Sequence, residues 1–146
     1  MTIQQGPKKY AETLRDIVEN RAHLRFSPKD TVPDMIKRMH AHGGGAGGVI
    51  DSTGRFIGLV TEKAIARKTF DGVTQTQKLE EHLYDKTPDE AMIALDVMVN
   101  NPDTLHPDDS VEDALDLITY FGYRHMPVVD ENRNFLGIVD TRELHK

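Results

Sequence analysis

Sliding the 146-residue chain against itself by 79 positions brings ten identities into register without a gap. Pro28 falls on Pro107, Asp30 on Asp109, Val32 on Val111, Asp34 on Asp113 and Gly43 on Gly122. Val49 then falls on Val128, Asp51 on Asp130, Phe56 on Phe135, Gly58 on Gly137 and Val60 on Val139. Most of the remaining positions exchange one apolar residue for another. A period of this kind marks a duplicated supersecondary unit, so any fold proposed for the chain must contain the same unit twice.

Each copy reads as strand, helix, strand, strand, helix. Leu24-Arg25-Phe26 and Thr104-Leu105-His106 alternate in character and run into Pro28 and Pro107, so each predicts a short strand stopped by proline. Val32, Met35, Ile36 and Met39 recur at helical spacing, as do Val111, Ala114, Leu115 and Ile118, which gives each following helix one apolar stripe. Thr31 with Asp34, and Ser110 with Asp113, stand where a hydroxyl cap and an acidic third residue satisfy free amides at a helix start. A hairpin follows, Val49-Ile50-Asp51 turning through Ser52-Thr53-Gly54 into Phe56-Ile57-Gly58-Leu59-Val60, and Val128-Val129-Asp130 turning through Glu131 to Asn134 into Phe135-Leu136-Gly137-Ile138-Val139. The near-continuous apolar second strands predict burial on both faces. A last helix begins at Thr61; its counterpart is barely a turn before Lys146.

Outside the repeat, Leu14, Ile17 and Val18 share a helical face expected to cover a core edge. The connector from Asp71 to Val99 opens on an Asp71-Gly72 turn and restarts at Thr87-Pro88-Asp89-Glu90, a capping-box sequence. The predicted organisation is an N-terminal helical segment over residues 1–17, a first repeat over 18–70, a structured linker over 71–96 and a second repeat over 97–146.

Composition narrows the chemistry. With no cysteine, a disulfide scaffold, a thiolate metal site and a thiol nucleophile are excluded. The net charge of −6 argues against a nucleic-acid footprint. No run of about 18 apolar residues and no apolar leader at the start predict a cytoplasmic protein outside the membrane. Gly43 to Gly48 contains G-x-G-x-x-G, but a helix precedes it and a strand follows, the reverse of what a dinucleotide fold requires. His40-x-His42 at a helix end does not share a face, so no metal site is predicted. No catalytic constellation has its required spacing, and no enzymatic activity is predicted.

The run Gly122-Tyr123-Arg124-His125-Met126-Pro127-Val128-Val129-Asp130 with Phe135-Leu136-Gly137-Ile138-Val139 resembles the signature of cystathionine-β-synthase (CBS) domains. Gly48-Val49-Ile50-Asp51 with Phe56 to Thr61 matches it more loosely. The resemblance implies an α+β fold of two β-α-β-β-α repeats related by a pseudo-twofold axis, with sheets side by side and helices outside. It further implies a homodimer and clefts for an adenosine-containing ligand: AMP foremost, then ADP or ATP, with NADH or S-adenosylmethionine behind them. Ligand binding would signal to an effector protein, so the expected role is regulatory signal transduction. The alternative is a ligand-free oligomerisation scaffold with decayed sites.

In the family a Thr/Ser-x-x-Asp element follows the third strand, its carboxylate accepting the ribose hydroxyls. Here Thr61-Glu62-Lys63-Ala64 keeps the hydroxyl and lacks the acid, while Asp140-Thr141-Arg142-Glu143 keeps an acid one methylene longer and places Asp140 where the hydroxyl belongs. Losing a charge-assisted hydrogen bond weakens binding by about one to two powers of ten, so the resemblance favours the second cleft. Asp140 is expected to repel a phosphate there by about 1 kcal/mol. Arg124, His125 and Met126, with Arg142 and Lys63 at the mouths of the last helices, are the expected ligand contacts. Gly45 and Ala46 replace Arg124 and His125 in the first copy, which bares one cleft wall for a bulky ligand group or a flexible loop.

Overall fold

The computed structural model describes residues 13–19, 22–71 and 92–144; the side chains of residues 70, 71 and 143 are not described. The expected Asp71-Gly72 turn and the capping box at Thr87 to Glu90 lie outside the described residues. In chain order the elements are α1 (Leu14–Val18), β1 (Arg25–Phe26), α2 (Val32–His42), β2 (Ala46–Ile50), β3 (Phe56–Thr61) and α3 (Glu62–Asp71). After the connector come α4 (Ala94–Val97), β4 (Val99–Asn100), α5 (Val111–Phe121), β5 (His125–Val129), β6 (Phe135–Asp140) and a closing 3-10 turn (Thr141–Leu144). The chain is α+β, and the 79-residue period is visible as the same unit twice.

The two helix starts form as their sequences dictate. Thr31 Oγ1 accepts the Asp34 N–H at 3.3 Å, and Ser110 Oγ accepts the Asp113 N–H at 3.0 Å. Both helices end on a left-handed glycine, Gly43 at φ 84° and Gly122 at φ 74°, which explains that aligned pair. The hairpin turns are held by aligned carboxylates: Asp51 accepts the N–H groups of Thr53 and Arg55, and Asp130 those of Asn132 and Asn134. At the matching turn position, Gly54 (φ 90°) in the first copy is replaced by Arg133 (φ 68°) in the second.

The first sheet runs β1-β2-β3-β4, with β1 parallel to β2 and the other pairs antiparallel; β5 and β6 form the second. The expected strands before each helix are shorter than predicted. Only Arg25–Phe26 forms one in the first copy, and Thr104-Leu105-His106 contributes a single parallel bridge from Leu105 to Val128. Both β3 and β6 bury four of six residues, in agreement with their apolar runs.

The chain places α1 across the molecule from the repeat it precedes. Leu14 and Val18 are buried with Leu105, Val111, Ile118 and Val139 in the core of the second copy. Reciprocally, Ala94 and Val97 of α4 are buried with Phe26, Val32, Met35 and Val60 in the core of the first. The same bonds are made on both sides: Leu14 N–H to Asp109 O and Arg15 N–H to Pro107 O, matched by Ala94 N–H to Asp30 O and Leu95 N–H to Pro28 O. The core edge expected for the N-terminal helix is therefore that of the distant repeat. The two helices correspond at an offset of 80 residues, one more than the rest of the duplication.

Between the copies lies a third apolar cluster of Ala46, Phe56, Leu59, Val129, Phe135 and Ile138. At its centre the aligned Phe56 and Phe135 stack, with centroids 5.5 Å apart and planes 12° apart. The Arg25 guanidinium lies over Phe135 and donates to its carbonyl, and Arg133 does the same for Phe56. This cross-bracing explains why Arg133 holds a backbone conformation that glycine favours.

Candidate functional site

A solvent-open cleft of about 1460 Å³ runs between the two copies. Its lining follows the pseudo-twofold. Gly43 to Ala46 face Gly122 to His125, Thr61 to Lys63 face Asp140 and Arg142, and Leu59 faces Ile138. The segments before β1 and after β4 complete it through His23, Leu24, Pro102 and Asp103. Its size exceeds the roughly 300–1,000 Å³ usual for a small-molecule pocket.

Gly45, Ala46, Thr61 and Lys63 of the first copy, expected in one cleft, share this lining with Arg124, His125, Met126, Asp140 and Arg142, expected in another. Met126 is almost wholly buried in the second core, whereas Lys63 is exposed. Glu143 lies in the closing turn, but its side chain falls outside the described residues.

The ends of β3 and β6 carry the polar groups. Thr61 Oγ1 accepts the Ala64 N–H at 2.9 Å and caps α3, which leaves the hydroxyl proton available to a ligand. Ala64, at the position of the missing acid, is buried. On the other side, Asp140 accepts from Arg142 three times: from its backbone N–H at 2.9 Å, from Nε at 3.2 Å and from Nη2 at 3.0 Å. Arg124 Nε stands 3.5 Å from the same carboxylate and His125 Nε2 3.6 Å from it. Burial pushes the Asp140 pKa upward, but the Arg142 hydrogen bonds, the Arg142 charge and His125 outweigh it and hold the value at about 2.

Asp140 is thus ionised and ringed by cations, so the isolated repelling charge expected from the sequence is not what a phosphate would meet. His125 titrates below its ordinary value, because desolvation and the neighbouring Arg124 and Arg142 outweigh the pull of Asp140 and Glu62.

Three cleft residues went unnoticed in the sequence. Glu62 leans over Gly45, where a Cβ would meet its carboxylate at 3.3 Å, and lies 3.7 Å from His40. His23 bridges the copies: its Nε2–H donates to Val18 O at 2.9 Å and its Nδ1 accepts the Ile138 N–H at 3.2 Å. Tyr123 donates its hydroxyl proton to Asp103 at 2.5 Å, an acceptor that raises the phenol pKa. Position 123 aligns with Gly44, so asymmetry between the copies was the available signal.

The glycine run also has a structural reason. A Cβ on Gly47 would come within 2.4 Å of the Phe26 ring, and one on Gly48 within 2.7 Å of Phe135. Gly47 and Gly48 are strand residues under phenylalanines, whereas Gly45 and Ala46, where the sequence bared a wall, line the cleft. Among the described residues no group of three or more acidic, histidine or cysteine side chains is placed to hold a metal, and no helix is long and apolar enough to cross a membrane.

A duplicated α+β unit with a polar cleft between its copies defines a two-repeat architecture. The family described as the CBS domain matches residues 14–71 and 93–146, and the chain belongs to that family. It is 30% identical over 127 residues to an uncharacterised protein of Methanopyrus kandleri, covering 87% of this chain and 58% of the relative. The chain spans about three fifths of the length of the curated relatives it matches. Among solved structures it is similar to CBSX2 in complex with AMP, at TM-score 0.69 and 23% identity over 92% of this chain and 93% of that one. It is also similar to the CBS domain pair of MJ0100 in complex with 5′-methylthioadenosine and S-adenosyl-L-methionine, at TM-score 0.68 and 21% identity over 92% and 94%.

Proposed function

We propose that the chain is a regulatory module that binds an adenosine-containing nucleotide, AMP foremost, in the cleft between its repeats. Occupancy is passed to a separate effector protein, and the module works as a cytoplasmic homodimer without turning the ligand over. The observation that carries this reading is the meeting of both copies on one cleft, with the free Thr61 proton on one side and the Arg124–Asp140–Arg142 group on the other. The adenosine compounds held by CBSX2 and by MJ0100 support the ligand class. A ligand touching both copies favours one relative orientation of the repeats, and only such differential affinity moves the equilibrium.

Within the cleft, Arg124 and Arg142 meet the phosphate; Glu143 is the ribose acceptor that the family resemblance implies. Lys63 adds positive charge at the opposite mouth. The contrary reading, a ligand-free scaffold, is favoured by one observation: Ala64 is buried where a ribose acceptor would stand.

Isothermal titration with AMP, ADP, ATP, NADH and S-adenosylmethionine decides between them. Binding of one of these that weakens at least tenfold in both Arg124→Ala and Glu143→Ala supports the proposal. No binding by the unaltered protein leaves the scaffold reading.

A further inference from the structure

The fixed charges around the cleft cancel. Its described lining carries three cations, Lys63, Arg124 and Arg142, against three carboxylates, Glu62, Asp103 and Asp140. Desolvation, with Arg124 and Arg142 nearby, holds His125 below its ordinary value, so its ring adds no charge at neutral pH. A site for a highly charged anion gains from an excess of cations, and this lining has none.

The balance turns on one position of the repeat. β3 ends on Thr61 and β6 on the aligned Asp140. Thr61 is neutral, and its hydroxyl oxygen accepts the Ala64 N–H. Asp140 is ionised, its side chain is 13% exposed, and it clasps Arg142 through Nε and Nη2 together. That clasp occupies an edge of the guanidinium that could receive a phosphate in the same two-pronged way. Arg124 Nε lies 3.5 Å from the same carboxylate, so two cations share one acid and the group is left with a charge of +1. On the facing side Glu62 leans over Gly45, and its charge offsets that of Lys63 in the lining. A first phosphoryl group therefore meets the remaining charge of the arginine group, and a second meets Asp140 and Glu62 with no further excess of cations.

We infer that Asp140 limits the negative charge the ligand can carry, so that the cleft takes a nucleoside monophosphate and turns away di- and triphosphates. This deepens the nucleotide reading above and rests on it. A like charge at about 4 Å in water weakens binding by about fivefold, and each further phosphoryl group brings more charge. The discrimination is electrostatic, because a cleft of about 1460 Å³ has room for the longer ligands.

Isothermal titration without divalent cations, at about pH 8 where histidine is neutral, should give AMP a Kd at least tenfold below that of ATP, with ADP between them. Asp140→Asn removes the charge and keeps the shape, and should narrow the ATP-to-AMP ratio of Kd at least fivefold. Asp140→Thr, which copies Thr61, should do the same, with circular dichroism to show that each variant is folded. The unaltered protein supplies an independent measurement. Raising salt from about 0.01 M to about 1 M shortens the screening length from about 30 Å to about 3 Å, so the same ratio should fall at least fivefold.

No binding of any of the three nucleotides removes the nucleotide reading and this inference with it. ATP binding as tightly as AMP leaves the nucleotide reading standing and overturns the charge limit. A preference for AMP that folded Asp140→Asn or Asp140→Thr retains in full overturns the assignment to Asp140, and one that salt leaves unmoved overturns its electrostatic origin.

Discussion

Phe56 and Phe135 join the two copies, and their contribution can be worked from the geometry. The side chains are 1% and 4% exposed, and their rings stack at a centroid distance of 5.5 Å. Truncating either to alanine removes a buried aromatic from an interface whose neighbours, strand residues on both sides, cannot collapse into the space. The expected cost is about 3–5 kcal/mol. Against a total stability of roughly 5–15 kcal/mol this is a large fraction, and for a chain near this size it lowers Tm by roughly 10–15 °C.

The stacking itself is isolated by a double-mutant cycle with Phe56→Leu and Phe135→Leu, which keeps most of the volume. A coupling of about 0.5–1.5 kcal/mol is expected from urea denaturation followed by circular dichroism. Phe135→Ala with a Tm loss under about 3 °C, or a leucine cycle with no coupling, would refute the claim that this pair holds the copies together.

Two further outcomes follow from the local chemistry. Thr31→Ala and Ser110→Ala each remove one helix cap, so each should cost about 1 kcal/mol in chemical denaturation and the pair should add, being far apart in sequence and in separate cores. Asp140 has a folded pKa depressed to about 2, so its contribution is complete above the ordinary value near 4 and is lost as pH falls through 2. Asp140→Asn should therefore cost about 1–2 kcal/mol at pH 7. Roughly half of that difference should remain at pH 3, and urea midpoints that differ equally at the two pH values would count against the ion pairs seen around Asp140.

What the sequence made legible was whatever depends on near neighbours. The helix stripes, their Thr31 and Ser110 caps, the Asp51 and Asp130 turns and the duplication itself are written within a few residues of where they act. The crossing of α1 and α4 was not legible, because amphipathicity says that a face is buried without saying against what. The one-residue change of offset also hid their equivalence from an ungapped comparison. The sequence placed acids and cations near each other at Asp140 and Arg142, but only the fold brings Arg124 and His125, at the entry to β5, to the same carboxylate. The glycine run was ambiguous for a similar reason: the phenylalanines that exclude a Cβ at Gly47 and Gly48 are distant in the chain.

The exchange of α1 and α4 constrains the order in which the protein can be made. Leu14 leaves the ribosome well ahead of Asp109, 95 residues later, whose carbonyl its amide binds. At a synthesis rate of about 5–20 residues per second, the first helix waits roughly 5–20 s with its apolar side unburied. The first repeat likewise cannot close its core until α4 has emerged. Neither half can mature as an independent nascent unit, so native structure arrives late and for both halves together.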